Sequence, residues 1–184
     1  MAIVQRMKEK AGKYFLEREQ PAQRERTGTN LSNANSVAFL YEDKDEAYFK
    51  QIQRLVRFVH EEYGVRRACA LGYVDKPIKQ LPIYQLQKLE YMYFTKGDLN
   101  WHMKPKVNLM NFLQEPFDIL IDLRLSPSVP LDYILRHSKA KMKAGASLSG
   151  AEEMYDFSLE VQSGCSLDEY WKQINFYLSN LTLK

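Results

Sequence analysis

The sequence predicts a three-layer α/β sandwich with a Rossmann-like, mainly parallel sheet of about five or six strands and an N-terminal helical extension. Apolar segments typical of buried strands alternate with segments of helical periodicity, which indicates right-handed crossovers with helices on both faces of a parallel sheet. The 184 residues suffice for one buried core and are too few for two ordinary domains. Apolar residues make up 45% and charged residues 27%, the composition of a globular protein.

Residues 1–35 are expected to form a basic amphipathic helix followed by a polar linker, ahead of an α/β domain over residues 36–184. Five apolar side chains recur near the start of the chain at helical spacing: Ile3, Met7, Ala11, Tyr14 and Phe15. Residues 20–35 are polar and contain Pro21 and Gly28, so this segment reads as a linker or a wrapping arm.

The first strand and helix of the domain have clear signals. Residues 37–41 form an apolar run typical of a buried strand. Asp43 or Asp45 can cap the helix that follows, and Gly64 is a good C-terminal stop for it. A second strand is predicted over residues 67–74.

The middle of the domain alternates in the same way. A helical turn is predicted at residues 85–89 and a third strand at residues 91–94. Pro105 is expected to open a helix that Pro116 closes. Residues 117–123 are the clearest strand in the chain.

The C-terminal part adds a helix near Pro130 and two further strands, at residues 141–146 and 155–161. Ser166 and Glu169 match a capping box, which predicts the start of the last helix.

The compartment and cofactor content follow from what the sequence lacks. Cys69 and Cys165 are far apart, and no apolar leader opens the chain, so we expect a cytoplasmic protein without a disulfide framework or a membrane span. The three histidines lack the spacing of metal ligands, and no loop has the glycine spacing of a cofactor-binding motif. No cofactor is therefore expected. A net charge of +3 neither requires nor excludes an acidic partner.

Ligands of open α/β sheets bind beyond the carboxyl ends of the strands, where strand order reverses. The loop after the first strand, residues 42–45, has no glycine and carries three carboxylates, which argues against a nucleotide phosphate. After the fourth strand, Asp122 is a weak candidate for a catalytic acid or base, and Ser126 for an anion ligand. The commoner explanations are ordinary turn and capping chemistry for Ser126 and a hydrogen-bonded polar group at a strand end for Asp122.

Residues 96–106, the Trp101 loop, combine an indole, an imidazole and three lysines. Exposed aromatic residues among cations can anchor a protein partner or stack on bases, whereas Trp101 can also tuck under the loop as a local core residue. The loop supplies most of the candidate partner-binding residues: Lys96, Asn100, Trp101, His102 and Lys104.

A basic run after the fourth strand gives a further possibility. It consists of Arg136, His137, Lys139, Lys141 and Lys143. Such a run can contact nucleic acid or an acidic protein, or it can form a solvated helix end. We expect any nucleic-acid binding to be weak.

The order of features also resembles an uncharacterised Bacteroidota family of about this length. The resemblance covers nearly the whole chain, is clearest in four segments and implies no activity: Asn33-Ala34-Asn35-Ser36-Val37, Asp98-Leu99-Asn100-Trp101, Phe117-Asp118-Ile119-Leu120-Ile121-Asp122-Leu123 and Lys139-Ala140-Lys141-Met142-Lys143-Ala144-Gly145. Residues 117–123 and 140–145 are also similar, in architecture only, to the N-terminal half of lipopolysaccharide heptosyltransferases, whose nucleotide-sugar is held largely by a second domain absent from this sequence.

These observations favour a non-enzymatic binding or adaptor protein that engages its partner through the N-terminal helix, the Trp101 loop or both. Met7 and Phe15 are the expected anchors of a contact with another protein or a second copy of the chain. The alternatives are an enzyme acting on a small anionic or sugar-like substrate near Asp122 and Ser126, and a peripheral nucleic-acid-binding protein.

Overall fold

The computed structural model describes residues 2–84, 90–106, 109–148 and 152–182. Within these ranges the chain forms one parallel sheet of six strands in the order β3-β2-β1-β4-β5-β6. The strands are β1 (Ser36–Glu42), β2 (Arg67–Val74), β3 (Tyr91–Thr95), β4 (Ile119–Asp122), β5 (Met142–Ala146) and β6 (Phe157–Leu159). This order places β1 and β4 side by side at the centre, where the chain reverses its direction of travel across the sheet.

Helices cover both faces of the sheet, so the Rossmann-like prediction is confirmed. Five α-helices lie in the described residues: α1 (Ala2–Arg18), α2 (Glu46–Tyr63), α3 (Met110–Gln114), α4 (Val129–His137) and α5 (Leu167–Asn180). Short 3₁₀ turns occupy Ile78–Gln80, Lys96–Asp98 and Glu152–Met154.

The central strand β1 shows why the apolar runs predict strands correctly. Val37 pairs with Ala68 of β2 on one side and with Ile119 of β4 on the other. Phe39 packs towards α2 and α5, whereas Leu40 packs towards α3 and α4. A strand buried on both faces needs apolar residues at consecutive positions.

Helix boundaries follow the expected signals at most ends. The Asp45 side chain accepts a hydrogen bond from the Tyr48 backbone N–H at 2.8 Å, and Gly64 ends α2 with a φ of 65°. Ser166 and Glu169 form the predicted capping box of α5. The predicted turn at residues 85–89 lies outside the described residues.

One predicted helix start is wrong. Pro105 does not open a helix, because it pairs with Leu99 in an isolated antiparallel bridge that closes the Trp101 loop. The Lys106 backbone N–H donates to the Asp98 carbonyl at 2.7 Å across the same loop. Helix α3 begins only at Met110.

The polar segment after α1 is laid along the surface of the domain. The Ala22 N–H donates to the Arg136 carbonyl at the end of α4 (3.1 Å), and the Leu31 N–H donates to the Leu178 carbonyl of α5 (3.0 Å). Leu31 itself is fully buried in the main core. The segment therefore wraps from one face of the sheet to the other.

Among the described residues, no helix combines the length and the apolar character needed to cross a bilayer.

Candidate functional site

The carboxyl end of β4 contains a buried network of charges. Arg124 Nε donates to both carboxylate oxygens of Asp122, at 2.9 and 2.8 Å, and its Nη2 also contacts this carboxylate. The Tyr155 hydroxyl donates to Asp122 Oδ2 at 2.8 Å. The side chains of Asp122 and Arg124 are fully buried. Asp122 therefore acts as an internal counter-ion for Arg124.

The same guanidinium also connects β4 to α4. Arg124 Nη1 donates to Asp132 Oδ1 at 2.8 Å and to the Ser128 carbonyl at 2.9 Å. Burial raises the pKa of Asp132, while Arg124 opposes that rise. The Tyr155 ring reaches this network across Gly145, where a Cβ atom would overlap the ring. These contacts fix the start of α4 against the centre of the sheet.

A small cleft lies beside this network at the switch point, with a volume of about 180 Å³. Its charged lining comes from Glu9 and Lys13 of α1, Glu42 at the end of β1, and Asp75 after β2. Burial, followed by repulsion from Asp75, raises the pKa of Glu42. The cleft thus has more carboxylates than cations, which disfavours an anionic ligand there.

The two residues predicted for catalysis lie outside the lining of this cleft. Asp122 is buried below it in the charge network, whereas Ser126 is exposed on the loop that leads to α4. Among the described residues, no hydrogen bond joins the side chains of Asp122 and Ser126. The enzymatic hypothesis stays a prediction.

Helix α1 rests on α4 and on the Trp101 loop. Leu16 is buried in a small cluster with Met103, Val129 and Tyr133. The Tyr133 hydroxyl donates to the Gly12 carbonyl at 3.1 Å. Burial raises the pKa of Tyr133 to about 12, so the hydroxyl stays protonated and keeps donating.

The C-terminal end of α1 is held by charged groups. Arg136 Nε donates to the Glu19 carbonyl at 2.7 Å. The Glu19 carboxylate pairs with Lys104 at 2.7 Å and lies 2.9 Å from His137 Nε2. Cationic side chains at a helix C-terminus satisfy its unpaired carbonyls and favour its dipole.

The Trp101 loop is braced from within. Asn100 Oδ1 accepts hydrogen bonds from the backbone N–H groups of His102 (3.0 Å) and Lys104 (2.9 Å). Met103 is buried with a φ of 67°, the only non-glycine residue in the described part of the chain with a positive φ. This turn leaves Trp101 pointing outward, with 63% of its surface exposed.

The outer side of α1 and the Trp101 loop together form one exposed apolar surface, which we call the α1–Trp101 face. It consists of Ile3, Val4, Met7, Tyr14, Phe15 and Trp101, all between 36% and 75% exposed. The Phe15 ring joins the two parts, with its centroid 5.5 Å from that of Trp101 and 4.7 Å from that of His102. Sequence reasoning named both parts separately and missed their contact, because it depends on how α1 docks on α4.

The predicted partner-binding residues have different positions relative to this face. Met7, Phe15 and Trp101 belong to it. Asn100 and His102 support it from below, and Lys104 is paired with Glu19. Lys96 lies apart from it, where its ammonium group pairs with Asp75 at 3.0 Å.

The basic run is dispersed by the fold. Lys141 pairs with Asp118 at 2.9 Å, and the Lys143 ammonium group is buried against the Leu135 carbonyl. Arg136 and His137 hold the end of α1. These four side chains are engaged by other parts of the protein, so the run does not form one continuous free basic surface.

A model of the family described as "Family of unknown function (DUF6913)" matches residues 8–181. No curated protein and no solved structure matches the chain.

Proposed function

The chain belongs to this family of unknown function, and we propose that it is a non-enzymatic binding protein whose α1–Trp101 face docks an acidic protein partner. The contact between Phe15 and Trp101 carries the proposal, because it makes a single apolar surface from two segments far apart in the chain. Large exposed apolar patches are typical of interaction sites, and aromatic residues are frequent at their energetic centres.

The face is preorganised for binding. Tyr133, Arg136 and Lys104 fix α1 by hydrogen bonds and an ion pair, and Asn100 fixes the loop. A surface whose side chains are already ordered loses less conformational entropy when a partner binds. Among the residues that the structure describes, the domain buries the side of α1 that contains Gly12 and Leu16 and leaves the apolar side largely exposed.

The charge of α1 indicates the chemistry of the partner. The helix has five basic residues, all exposed, against the acidic Glu9 and Glu17. An acidic surface around an apolar centre complements this arrangement and speeds association. A second copy of the chain would bring two basic helices together, which like-charge repulsion disfavours.

A protein fits the face better than a bilayer. Interfacial helices that bind membranes usually have a larger apolar side, and here Ala11 reduces it. The Arg18 guanidinium also lies over the Tyr14 ring, 4.0 Å from its centroid, within the face. A partner with its own carboxylates can pair with this cation while it packs on the ring.

The experiment is photo-crosslinking in the source cell. A photo-crosslinking amino acid replaces Met7 or Trp101 and, as a matched control, Phe176. Phe176 is an equally exposed apolar residue, 62% accessible, on α5. We expect one common protein adduct from the first two positions and none from the control. The purified partner should then bind the chain with an affinity that falls at least about tenfold in Met7→Asp and changes little in Phe176→Asp.

Three other outcomes would contradict the proposal. The first is a dimer of the purified chain that Met7→Asp dissociates. The second is sedimentation with vesicles of anionic phospholipid that Met7→Asp abolishes. The third is an adduct whose purified partner binds wild type and Met7→Asp equally.

A further inference from the structure

We propose that the cavity enclosed by Arg24, Arg26, Arg136 and Lys143 binds the phosphate or carboxylate group of a small molecule. It lies below α4, on the side of the sheet away from the α2 and α5 layer, and at the opposite end of the strands from the acidic cleft. Its volume is about 430 Å³, within the range of small-molecule sites. This site is separate from the α1–Trp101 face, although Arg136 lines it and also holds the end of α1.

The cavity is formed where three segments meet. The wrapping arm supplies Arg24 and Arg26, the end of α4 supplies Arg136, and β5 supplies Lys143. Glu153 and Met154 complete the far wall. Because these residues come from distant parts of the chain, only the folded arm creates the cluster.

Arg24 forms the fixed floor of the site. Its Nη1 donates to the Lys141 carbonyl at 2.7 Å and to the Ala140 carbonyl at 3.2 Å, and its Nη2 donates to Asp156 at 2.8 Å. Only 5% of the Arg24 side chain is exposed. Asp156 also accepts from the Lys143 backbone N–H at 2.8 Å, so one carboxylate anchors the arm to β5.

Arg26 is the exposed cation of the cavity. Its side chain is 71% exposed, and its Nε approaches Asp156 Oδ1 only to 3.7 Å, beyond hydrogen-bond distance. A planar guanidinium presents paired N–H donors that match the two oxygens of a carboxylate or phosphate. Arg26 is therefore placed to close on an anion that enters the cavity.

Lys143 is a buried amine that lines the cavity together with three arginines. Only 3% of this residue is exposed, and its Nζ donates to the Leu135 carbonyl at 2.5 Å. Burial first, and then repulsion from Arg24, Arg26 and Arg136, lowers the pKa of Lys143 to about 7, against the attraction of Asp156. A bound anion would offset this repulsion and favour the protonated ammonium group.

The size and depth of the cavity define the ligand class. Only 3% of Lys143 is exposed, which leaves little of it accessible to an extended nucleic-acid surface, whereas a single oxyanion group is small enough to enter the cavity that Lys143 lines. Glu153 on the wall repels negative charge, so the oxyanion group is expected at the part of the cavity that holds the arginines and Lys143. The ligand is therefore a small molecule with one oxyanion end.

The test is titration calorimetry of the full chain with inorganic phosphate, pyrophosphate and citrate. We expect saturable binding of at least one probe, weakened about tenfold or more in Arg26→Glu and in Lys143→Met. Arg54→Glu is the matched control, because it changes the charge of the chain by the same amount as Arg26→Glu. Arg54 is an exposed residue of α2, on the other face of the sheet.

A second readout isolates Lys143. At about pH 8 this amine is mostly neutral, so anion binding should take up a proton, measured by comparing buffers of different ionisation enthalpy. The uptake should disappear in Lys143→Met and persist in Arg54→Glu. Arg24, Arg26, Arg136, Asp156 and Glu153 are the other charged groups around this amine, and all of them are retained in Lys143→Met, so the difference between the two proteins reports the amine itself.

Three results would overturn the inference. They are the absence of saturable binding for all three probes at millimolar concentration, an equal loss of binding in Arg54→Glu, and binding of RNA together with no binding of any small probe.

Discussion

At the scale of single residues, burial decides what the charged side chains at the centre of the sheet can do. Asp122 and Arg124 are withdrawn from water and neutralise each other, with Tyr155 supplying a further donor. Removing one partner of such a pair leaves an uncompensated buried charge, which is far more costly than losing an exposed ion pair.

Asp122→Asn is expected to lower the free energy of unfolding by about 1.5–3 kcal/mol, because Arg124 loses its bidentate carboxylate partner and keeps Asp132 as its remaining counter-ion. Ser126→Ala is expected to change it by less than about 0.5 kcal/mol, since Ser126 is exposed. Urea denaturation of both variants measures the difference. A well-folded Asp122→Asn protein of wild-type stability would refute the structural role of Asp122.

Lys143 gives a prediction about pH. Its folded-state pKa of about 7 lies below the ordinary value of 10.5, so the unfolded chain binds more protons between these values. The contribution of Lys143 to stability is therefore full above pH 10.5 and is lost as the pH falls through about 7. Relative to Lys143→Met, the wild type should gain stability as the pH rises across this interval.

Urea denaturation of the two proteins, from neutral to alkaline pH, measures that difference and cancels the titration of other groups. A difference in stability that does not change with pH would show that Lys143 has an ordinary pKa in the folded protein.

At the scale of elements, α1 is the helix whose position matters most for function. A lone helix of this length is marginal in water, so it needs tertiary contacts. The sequence predicted that the stripe from Ile3 to Phe15 contacts another protein or a second copy of the chain, with Met7 and Phe15 as anchors. The domain covers the side that contains Gly12 and Leu16, which leaves most of the stripe exposed.

Gly12 permits this docking. A Cβ atom at this position would lie 2.7 Å from the His102 carbonyl oxygen and 2.7 Å from Val129 Cγ1. Gly12→Ala should therefore loosen α1, although alanine raises intrinsic helix propensity by about 1 kcal/mol.

Amide hydrogen exchange tests this prediction. We expect exchange to accelerate in α1 of Gly12→Ala and to stay unchanged in α2 and α5. Gly97→Ala is the control, because its Cβ would make an ordinary contact of 3.5 Å with Thr95 Oγ1. Slower exchange of α1 in Gly12→Ala would mean that the helix is not packed as closely as the structure has it.

At the scale of the whole molecule, the distribution of charge limits nucleic-acid binding. The net charge is only +3, and the basic run is split among an ion pair, a buried amine and the groups that hold α1. Few phosphates could be neutralised at once, so affinity should be low at physiological salt and should depend weakly on salt.

Fluorescence anisotropy with labelled RNA and DNA at two salt concentrations measures both quantities, with Lys139→Glu/Lys141→Glu as the comparison. Sub-micromolar binding that collapses with salt and disappears in this double variant would instead support the nucleic-acid hypothesis.

Much of the fold could be predicted because local patterns report burial directly. Strand β1 is apolar at every inner position because both of its faces are covered, and α5 begins where its capping box predicts. The start of α3 could not be predicted, since Pro105 is held by a bridge to Leu99 that no local pattern signals.

The sequence by itself determined the alternation of strands and helices, the glycine-free acidic loop after β1, and the candidate residues of the α1–Trp101 face. Only the tertiary structure decided that Phe15 meets Trp101, that Asp122 is paired with Arg124, and that Arg24 and Lys143 share a cavity. Periodicity records which residues are apolar along one element, whereas these contacts depend on which side of each element packs against another, and that is set by long-range packing.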